Sequence, residues 1–217
     1  MTPTLKWIAG GFGGAGVVVD QGQRGTCLAI AITTSHGRER KADFSAEYLH
    51  WSSGKYHSGR GDPRAAGAAL QRDGQPPEHQ WPYDANLNDA DPSYVPRATL
   101  KGPFQFGRTD RILSSVDDMV LEIDGGGWPV IALRVTDRFQ RAEGGLVLPG
   151  GRGSAGHAVL AVGVATVLGA AGELKQDDRL ICIRNSWGDR WGVNGHALIT
   201  EQALNECMIF ATALDSA

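Results

Sequence analysis

The stretch QGQRGTCLAIAI, residues 21–32, decides the fold of this chain. A glycine-containing turn opens onto a run of apolar residues, and Cys27 stands where the turn becomes a helix. A thiol in the first turn of a helix feels the positive end of the helix dipole, which lowers its pKa and raises the fraction of thiolate. The stretch therefore predicts a helix that begins at a reactive cysteine.

Two downstream residues complete a nucleophilic arrangement. His157 lies in an apolar stretch, and Asn185 opens the segment NSWGDRWGVNG, residues 185–195. A cysteine nucleophile needs a base that takes its proton and later gives it to the leaving amine, and the base needs a partner that orients its ring. We assign these catalytic roles to Cys27, His157 and Asn185. Gln21 lies across the turn from Cys27, where its amide is expected to donate to the oxyanion beside the backbone N–H of Cys27.

Trp187 follows Asn185 closely, and we predict that it packs over the bond between Asn185 and His157 and keeps water from it. The remaining histidines show no spacing typical of metal ligands. We therefore expect neither a metal site nor another cofactor.

Local patterns predict a helical first half and a β-rich second half. Helices are predicted at about 26–37, 45–52, 63–73 and 114–124, from N-capping residues, a proline at the first helical position and terminal glycines. Strands are predicted at 17–19, 130–135, 157–164, 180–184, 196–200 and 208–214. Residues 75–105 are rich in proline, aspartate and asparagine and are predicted to be an extended surface loop.

Together these residues resemble the papain family of cysteine peptidases. The motifs that carry the resemblance are QG at 21–22, FSAEYL at 44–49, GRG at 59–61, Ala66, Gly74, WPY at 81–83, PV at 129–130, Phe139, GG at 144–145 and the segment 185–195. These motifs occur in this chain in the same order as in the family, which makes the set highly specific. The resemblance implies an α+β, papain-like fold in a single peptidase domain, residues 1–217. Its helical left lobe covers about 8–108, its β-barrel right lobe covers about 109–217, and the active site lies in the cleft between them.

The resemblance also implies residues that bind substrate, and these are Gly59, Gly61, Pro63, Leu133 and Ala158. The two glycines would let the substrate backbone approach without a Cβ in the way. The other three would line the pocket for the second residue before the scissile bond, with an apolar preference, and Asp62 at the rim would tolerate a basic group.

Composition restricts the partners. With 41% hydrophobic and 21% charged residues and a net charge of −3, the chain is typical of a globular protein. It has no long run of one charge and no apolar stretch of roughly 20 residues, so we expect neither nucleic acid nor membrane as a partner. The expected partner is a peptide or protein substrate.

The cysteines favour a reducing compartment. Secreted members of the family pair a cysteine three residues before the nucleophile with one ahead of the glycine pair, but here the first position is Arg24, and no cysteine lies between Cys27 and Cys182. The N-terminus also lacks a secretory signal pattern. We therefore expect a cytoplasmic protein without the usual disulfide.

Only 26 residues precede Cys27, so the chain either acts without a propeptide, or its propeptide was removed or lies outside this sequence. A regulatory partner, a fused domain or slow turnover is then expected to restrain it.

The sequence predicts a cysteine-type endopeptidase that hydrolyses peptide bonds through a thioester on Cys27. Two alternatives stay open. The same chemistry with an amine as acceptor gives a transamidase or peptide ligase. A non-catalytic module would use the cleft only to hold a peptide.

Overall fold

The computed structural model describes residues 3–12, 17–56 and 59–216. Its helices are α1 (Cys27–Arg40), α2 (Ala46–Ser53), α3 (Pro63–Arg72), α4 (Val116–Asp124), α5 (Asp137–Arg141) and α6 (Glu201–Cys207). Its strands are β1 (Leu5–Gly10), β2 (Gly107–Leu113), β3 (Val130–Thr136), β4 (Leu146–Val147), β5 (Gly153–Val167), β6 (Arg179–Arg184), β7 (His196–Thr200) and β8 (Met208–Ser216). The longer helices of the first half therefore precede all strands but β1.

Side-chain caps set the starts of three predicted helices. Ser45 accepts the N–H of the third residue of α2, and Asp62 accepts two N–H groups at the start of α3. At α4, Ser115 and Asp118 form a reciprocal capping box. The predicted cap at this helix was Ser114, one residue too early, because both serines precede an acidic residue at a suitable distance.

The strands form one mixed sheet in the order β2-β8-β3-β5-β6-β7-β4, with β1 paired to β5. All pairs are antiparallel except β4 with β7. The predicted α+β, papain-like fold class is confirmed. The predicted barrel differs in one detail, because within the described residues no pairing joins the edge strands β2 and β4, and the sheet stays open there.

Several elements were not predicted. β1 and β2 lie at the margins of the sheet, and the short helices α5 and α6 follow directly after β3 and β7. The predicted strand at 17–19 does not form. β1 pairs with the far end of the long strand β5, and such pairing depends on a distant partner that local preference does not contain.

Successive side chains of a strand point to opposite faces of the sheet, so the apolar core consists of two main clusters. On β6, Ile181 and Ile183 enter one cluster with Phe139 and Met119, whereas Leu180 and Cys182 enter the other. The second cluster also contains the main apolar residues of α1, α2 and α3, which are Leu28, Ile32, Leu49 and Leu70. One face of the sheet is thus covered by the helices of the first half. Cys27, the first residue of α1, lies at the seam, the line along which α1 meets the sheet.

The segment 75–105 is irregular, as predicted, but it is not simply an exposed loop. Trp81 and Tyr94 are buried against Tyr48 of α2, and Gln75 is completely buried. The segment therefore contributes to the core of the helical half, because its aromatic residues have an apolar surface to cover.

Replacing Leu70 by Ala should destabilise the protein by about 2–5 kcal/mol, because Leu70 is fully buried between α3 and its neighbours and the change leaves a cavity. Urea unfolding followed by circular dichroism measures the loss. The control is Leu121→Ala, at a leucine that is 72% exposed, which should change stability by less than about 0.5 kcal/mol. Equal losses in the two variants would contradict the assigned core.

Candidate active site

His157 lies on β5, and Asn185 is the residue directly after the neighbouring strand β6, so that the two side chains meet. Nε2 of His157 lies 2.6 Å from Oδ1 of Asn185, and both residues are buried. The same Oδ1 accepts the backbone N–H of Ser186 at 2.8 Å. Since this oxygen acts as an acceptor, Nε2 of the histidine carries the hydrogen, and Nδ1 of the neutral ring holds the lone pair. The ring is therefore held in the form that can act as a base through Nδ1.

Cys27 lies at the start of α1, directly against the strand that carries His157. Its sulfur is close to the backbone N–H of Ala158, and a narrow cleft is lined by Cys27, Ala158 and Asn185 together. Both Cys27 and His157 are described, and no hydrogen bond joins the sulfur to the ring in this structure. Such contacts are often long before substrate binds. The structure thus brings together the three predicted catalytic residues.

Burial controls the protonation of both groups. It raises the pKa of the Cys27 thiol, although the backbone N–H groups of Ala158, Leu28 and Cys27 itself act in the opposite direction. It also lowers the pKa of His157, against the effect of the hydrogen bond to Asn185. The helix dipole was expected to lower the thiol pKa, and burial acts in the opposite direction. Burial therefore disfavours an isolated charge on either group of the site.

Gln21 is fixed at the base of the turn before α1. Its Nε2 donates to the carbonyl of Arg24 at 2.7 Å, and its Oε1 accepts the hydroxyl of Ser186 at 2.7 Å. Its backbone N–H also donates to the carbonyl of Ser186 at 2.8 Å. Because an amide nitrogen has two hydrogens, one remains for a further acceptor. The backbone N–H of Cys27, in the first turn of α1, has no acceptor within the helix.

An aromatic group backs the histidine. The ring centroid of Trp187 lies 4.6 Å from that of His157, and Phe139 lies 6.0 Å from the histidine ring. Trp191 packs on Phe139 at 5.1 Å and donates from its indole nitrogen to the Phe139 carbonyl. The structure therefore places Trp187 against one side of the ring of His157, and the exclusion of water from the bond to Asn185 stays a prediction.

Gly59 and Gly61 lie in the turn before α3. Their φ angles are +75° and +82°, which side chains with a Cβ rarely adopt. Apart from the chain neighbours, a Cβ built at either residue would meet no atom of the residues that the structure describes within 4 Å. The space beside both glycines is open, as a backbone-binding segment requires.

A groove of about 780 Å³ runs along α1 on the side of α3, and Pro63, Leu28, Ile32, Val130 and Phe210 are among its lining residues. Asp62, Arg64 and Arg108 also line it. A second groove of about 810 Å³ on the other flank of α1 contains none of the predicted site residues.

Two of the residues predicted for this pocket do not line it. Leu133 is fully buried in the cluster on the opposite side of the sheet, because side chains alternate along β3 and Leu133 points the same way as Ile131. Ala158 lies in the narrow cleft beside Cys27 instead. Val130 and Phe210 occupy the wall that Leu133 was expected to supply.

Four further residues belong to the site or to its groove and were not predicted to do so: Ser186, Phe139, Val130 and Phe210. Ser186 lies between two assigned residues, Asn185 and Trp187, which was the available signal. Phe210 comes from β8, far along the chain, and only the pairing of β8 with β3 brings it to the groove.

Comparison with known proteins identifies the family. A family model described as papain family cysteine protease matches residues 15–216. The chain belongs to the papain family of cysteine proteases. It is also 40% identical to cathepsin J of Mus musculus over 57 residues, a match that covers 26% of this chain and 16% of cathepsin J.

Solved structures show the same fold. Xylellain, a cysteine protease from Xylella fastidiosa, is similar with a TM-score of 0.66 and 19% identity, covering 100% of this chain and 91% of xylellain. The Carica candamarcensis cysteine protease CMS1MS2, solved in complex with E-64, has a TM-score of 0.61 and 20% identity, covering 100% and 99%. The clostridial cysteine protease Cwp84 has a TM-score of 0.72 and 17% identity, covering 93% and 55%.

None of the helices in the described part of the chain is long and apolar enough to cross a membrane.

Replacing Asn185 by Ala should lower the pKa of His157 further, because the hydrogen bond that His157 donates to Asn185 raises it and burial, which lowers it, remains. NMR titration of the His157 ring in a Cys27→Ala background measures the change without self-cleavage. The control is Asn205→Ala, on the exposed side of α6, which should leave the titration unchanged. A rise in the pKa would contradict the assigned contact.

Proposed function

We propose that this chain is a cysteine-type endopeptidase in which Cys27 attacks the substrate carbonyl and His157 transfers the proton. The observation that carries the proposal is the joint placement of Cys27, His157 and Asn185 at the seam between α1 and the sheet. Membership of the papain family supports it.

The reaction begins with transfer of the thiol proton from Cys27 to Nδ1 of His157. Burial disfavours an isolated charge on either group, so the thiolate and the imidazolium form together, and each charge is opposed by the other. The thiolate attacks the carbonyl carbon, and the oxygen of that carbonyl becomes an oxyanion.

Two N–H donors are available to the oxyanion, the backbone N–H of Cys27 and the remaining amide hydrogen of Gln21. One such donor stabilises a transition state by about 3–4 kcal/mol. The imidazolium then protonates the leaving amine, and the C–N bond breaks to leave a thioester on Cys27. A water molecule, deprotonated by His157, hydrolyses the thioester and restores the thiol.

Substrate backbone would lie beside Gly59 and Gly61, where the surface is open. The groove that begins at Leu28, next to the nucleophile, would take the side chain of the second residue before the scissile bond. Its floor of Ile32, Val130 and Phe210 supports an apolar preference.

We also propose a reducing, cytoplasmic setting. The thiols of Cys27, Cys182 and Cys207 are all free, and burial raises the pKa of Cys182 to about 12 and that of Cys207 to about 11. Because neither fold nor site depends on an oxidised pair, the protein does not require an oxidising compartment.

Wild-type protein should react with the epoxysuccinyl inhibitor E-64 at one residue, Cys27, because the base beside the thiol generates the thiolate on demand. Intact-mass spectrometry measures one adduct per chain. Cys27→Ala should show no adduct, and His157→Ala should label at least tenfold more slowly.

Cys207→Ala is the control, because that cysteine is buried in the other apolar cluster and does not line the cleft beside Cys27, and it should label as the wild type does. Folded wild-type protein that stays unlabelled would contradict the peptidase proposal and favour a module that only holds a peptide.

Phe210→Glu should shift the preferred residue, two positions before the scissile bond, from apolar to basic, since the substitution places a carboxylate in the groove wall. A peptide library varied at that position measures the preference. Ile209→Glu is the matched control, because Ile209 is the preceding residue of the same strand and is 51% exposed outside the groove. An unchanged profile in Phe210→Glu would remove the groove from the substrate-binding site.

A further inference from the structure

Arg24 is a buried arginine in the turn that carries Gln21 and Cys27. All five of its N–H donors have acceptors. Nη1 and Nη2 donate to the two carboxylate oxygens of Glu47 at 2.8 and 2.6 Å, and Nε donates to Oδ1 of Asp89 at 2.8 Å. Nη1 also donates to the carbonyl of Asp84 at 2.6 Å, and Nη2 to Asp89. We call Arg24, Glu47 and Asp89 the ionic anchor.

The ionic anchor is electrostatically strong. Glu47 has no exposed surface, and Arg24 is almost fully buried. Burial by itself would lower the pKa of Arg24, but the hydrogen bonds and charges of Glu47 and Asp89 raise it above its ordinary value. Burial would likewise raise the pKa of Asp89, yet the hydrogen bonds from His50 and Arg24 lower it. Arg24 and Asp89 therefore favour each other's charged forms, and the hydrogen bonds to Glu47 and Asp89 hold the guanidinium of Arg24 in place.

Asp89 connects the ionic anchor to a second part of the cleft. Its Oδ2 lies 2.6 Å from Nε2 of His50 on α2, and its backbone carbonyl accepts Nη1 of Arg60 at 2.9 Å. Arg60 stands between Gly59 and Gly61, and its guanidinium also lies 5.0 Å from the ring centre of Tyr94. One residue thus links the turn of the nucleophile to the open glycine segment.

The loop around Asp89 is built to hold it. Asp84, Asn88 and Asp91 each accept the N–H of the residue two positions later, which makes three consecutive turns. Tyr94 is buried and donates its hydroxyl to Glu47. Asp89 is therefore presented from a fixed loop and not from a mobile surface side chain.

We propose that Arg24 and Asp89 are positioning residues of the peptidase, and that the ionic anchor aligns the oxyanion donors and the substrate-binding glycines at the same time. This inference rests on the proposed function. Gln21 donates to the carbonyl of Arg24, so the position of Arg24 sets the position of the Gln21 amide.

Arg24 of the ionic anchor and Arg60, which donates to the backbone carbonyl of Asp89, should affect different kinetic constants. Loosening Arg24 displaces donors that act on the oxyanion, which exists only during the reaction, so kcat falls while KM changes little. Loosening Arg60 displaces the segment beside Gly59 and Gly61, which contacts substrate in the ground state as well, so KM rises. A role in folding alone would not produce such a division.

The experiment measures kcat and KM of wild type, Arg24→Met, Arg24→Lys, Asp89→Asn and Arg60→Ala on one peptide substrate. Active sites are counted by E-64 adducts, so that unfolded protein does not enter kcat. Arg24→Met should lower kcat at least tenfold with KM within threefold of wild type. Arg60→Ala should raise KM at least threefold with kcat within twofold, and Asp89→Asn should change both.

Arg24→Lys should recover less than half of the loss on a logarithmic scale, because an ammonium has three donors and cannot match the fork that bridges Glu47 and Asp89. Arg111→Met is the control. Arg111 pairs with Glu122 and Asp215 on the edge strand β2 and is about half exposed, and its loss should leave both constants within twofold.

If Arg24→Met yields no folded protein, Asp89→Asn and Arg24→Lys still decide the question, since Asp89→Asn keeps the size of the side chain and Arg24→Lys keeps the positive charge. Values of kcat per labelled site within twofold of wild type in Asp89→Asn and Arg24→Lys would overturn the ionic anchor as a positioning device. A change in the same kinetic constant, kcat or KM, in both Arg24→Lys and Arg60→Ala would also overturn it. A wild type that does not cleave peptides would overturn the proposed function, and the positioning role with it.

Discussion

The structure depends on the packing of α1 against β5. Leu28 and Ile32 of α1 share an apolar cluster with Leu160 and Val162 of β5, and this cluster continues into α2 and α3. Because Cys27 is the residue that starts α1, the same contact that buries the helix also places the thiol beside Ala158. The meeting of the proposed nucleophile and base is thus a consequence of how the helical half covers the sheet.

Polar contacts also hold this seam together near Cys27. Gln21 exchanges both a backbone and a side-chain hydrogen bond with Ser186, and the N–H of Gly188 donates to the carbonyl of Val19. The segment before the nucleophile and the segment after Asn185 therefore lie side by side. On the far side of the turn, Arg24 ties the same segment to α2 and to the loop that contains Asp89. The turn that carries Gln21 and Cys27 is held from both lobes, as preorganised catalysis requires.

Much of the site was predictable from the sequence because its motifs are short and local. Cys27 at a helix start and Asn185 opening a tryptophan- and glycine-rich segment have local signals, and the polar loop between the two strands predicts that His157 and Asn185 face each other. The observed place of Leu133 differs from the predicted one in the substrate pocket for a geometric reason. Neighbouring residues of a strand point to opposite faces, so a motif matched by position assigns the wrong wall when the face is not known. β1 and β2 were not predicted because each forms only by pairing with a strand that is distant in sequence.

By itself the sequence determined the helical first half, the β-rich second half and the starts of α2 and α3, since these depend on nearby residues, and it predicted the catalytic side chains. Only the tertiary structure decided how burial acts on the site, because the burial that raises the pKa of Cys27 comes from both halves of the molecule. It also decided that Val130 and Phe210 line the groove, through the pairing of β3 with β8. Finally, it decided that Arg24 meets Glu47 and Asp89, because a buried charge is stable only where distant segments bring its partners together.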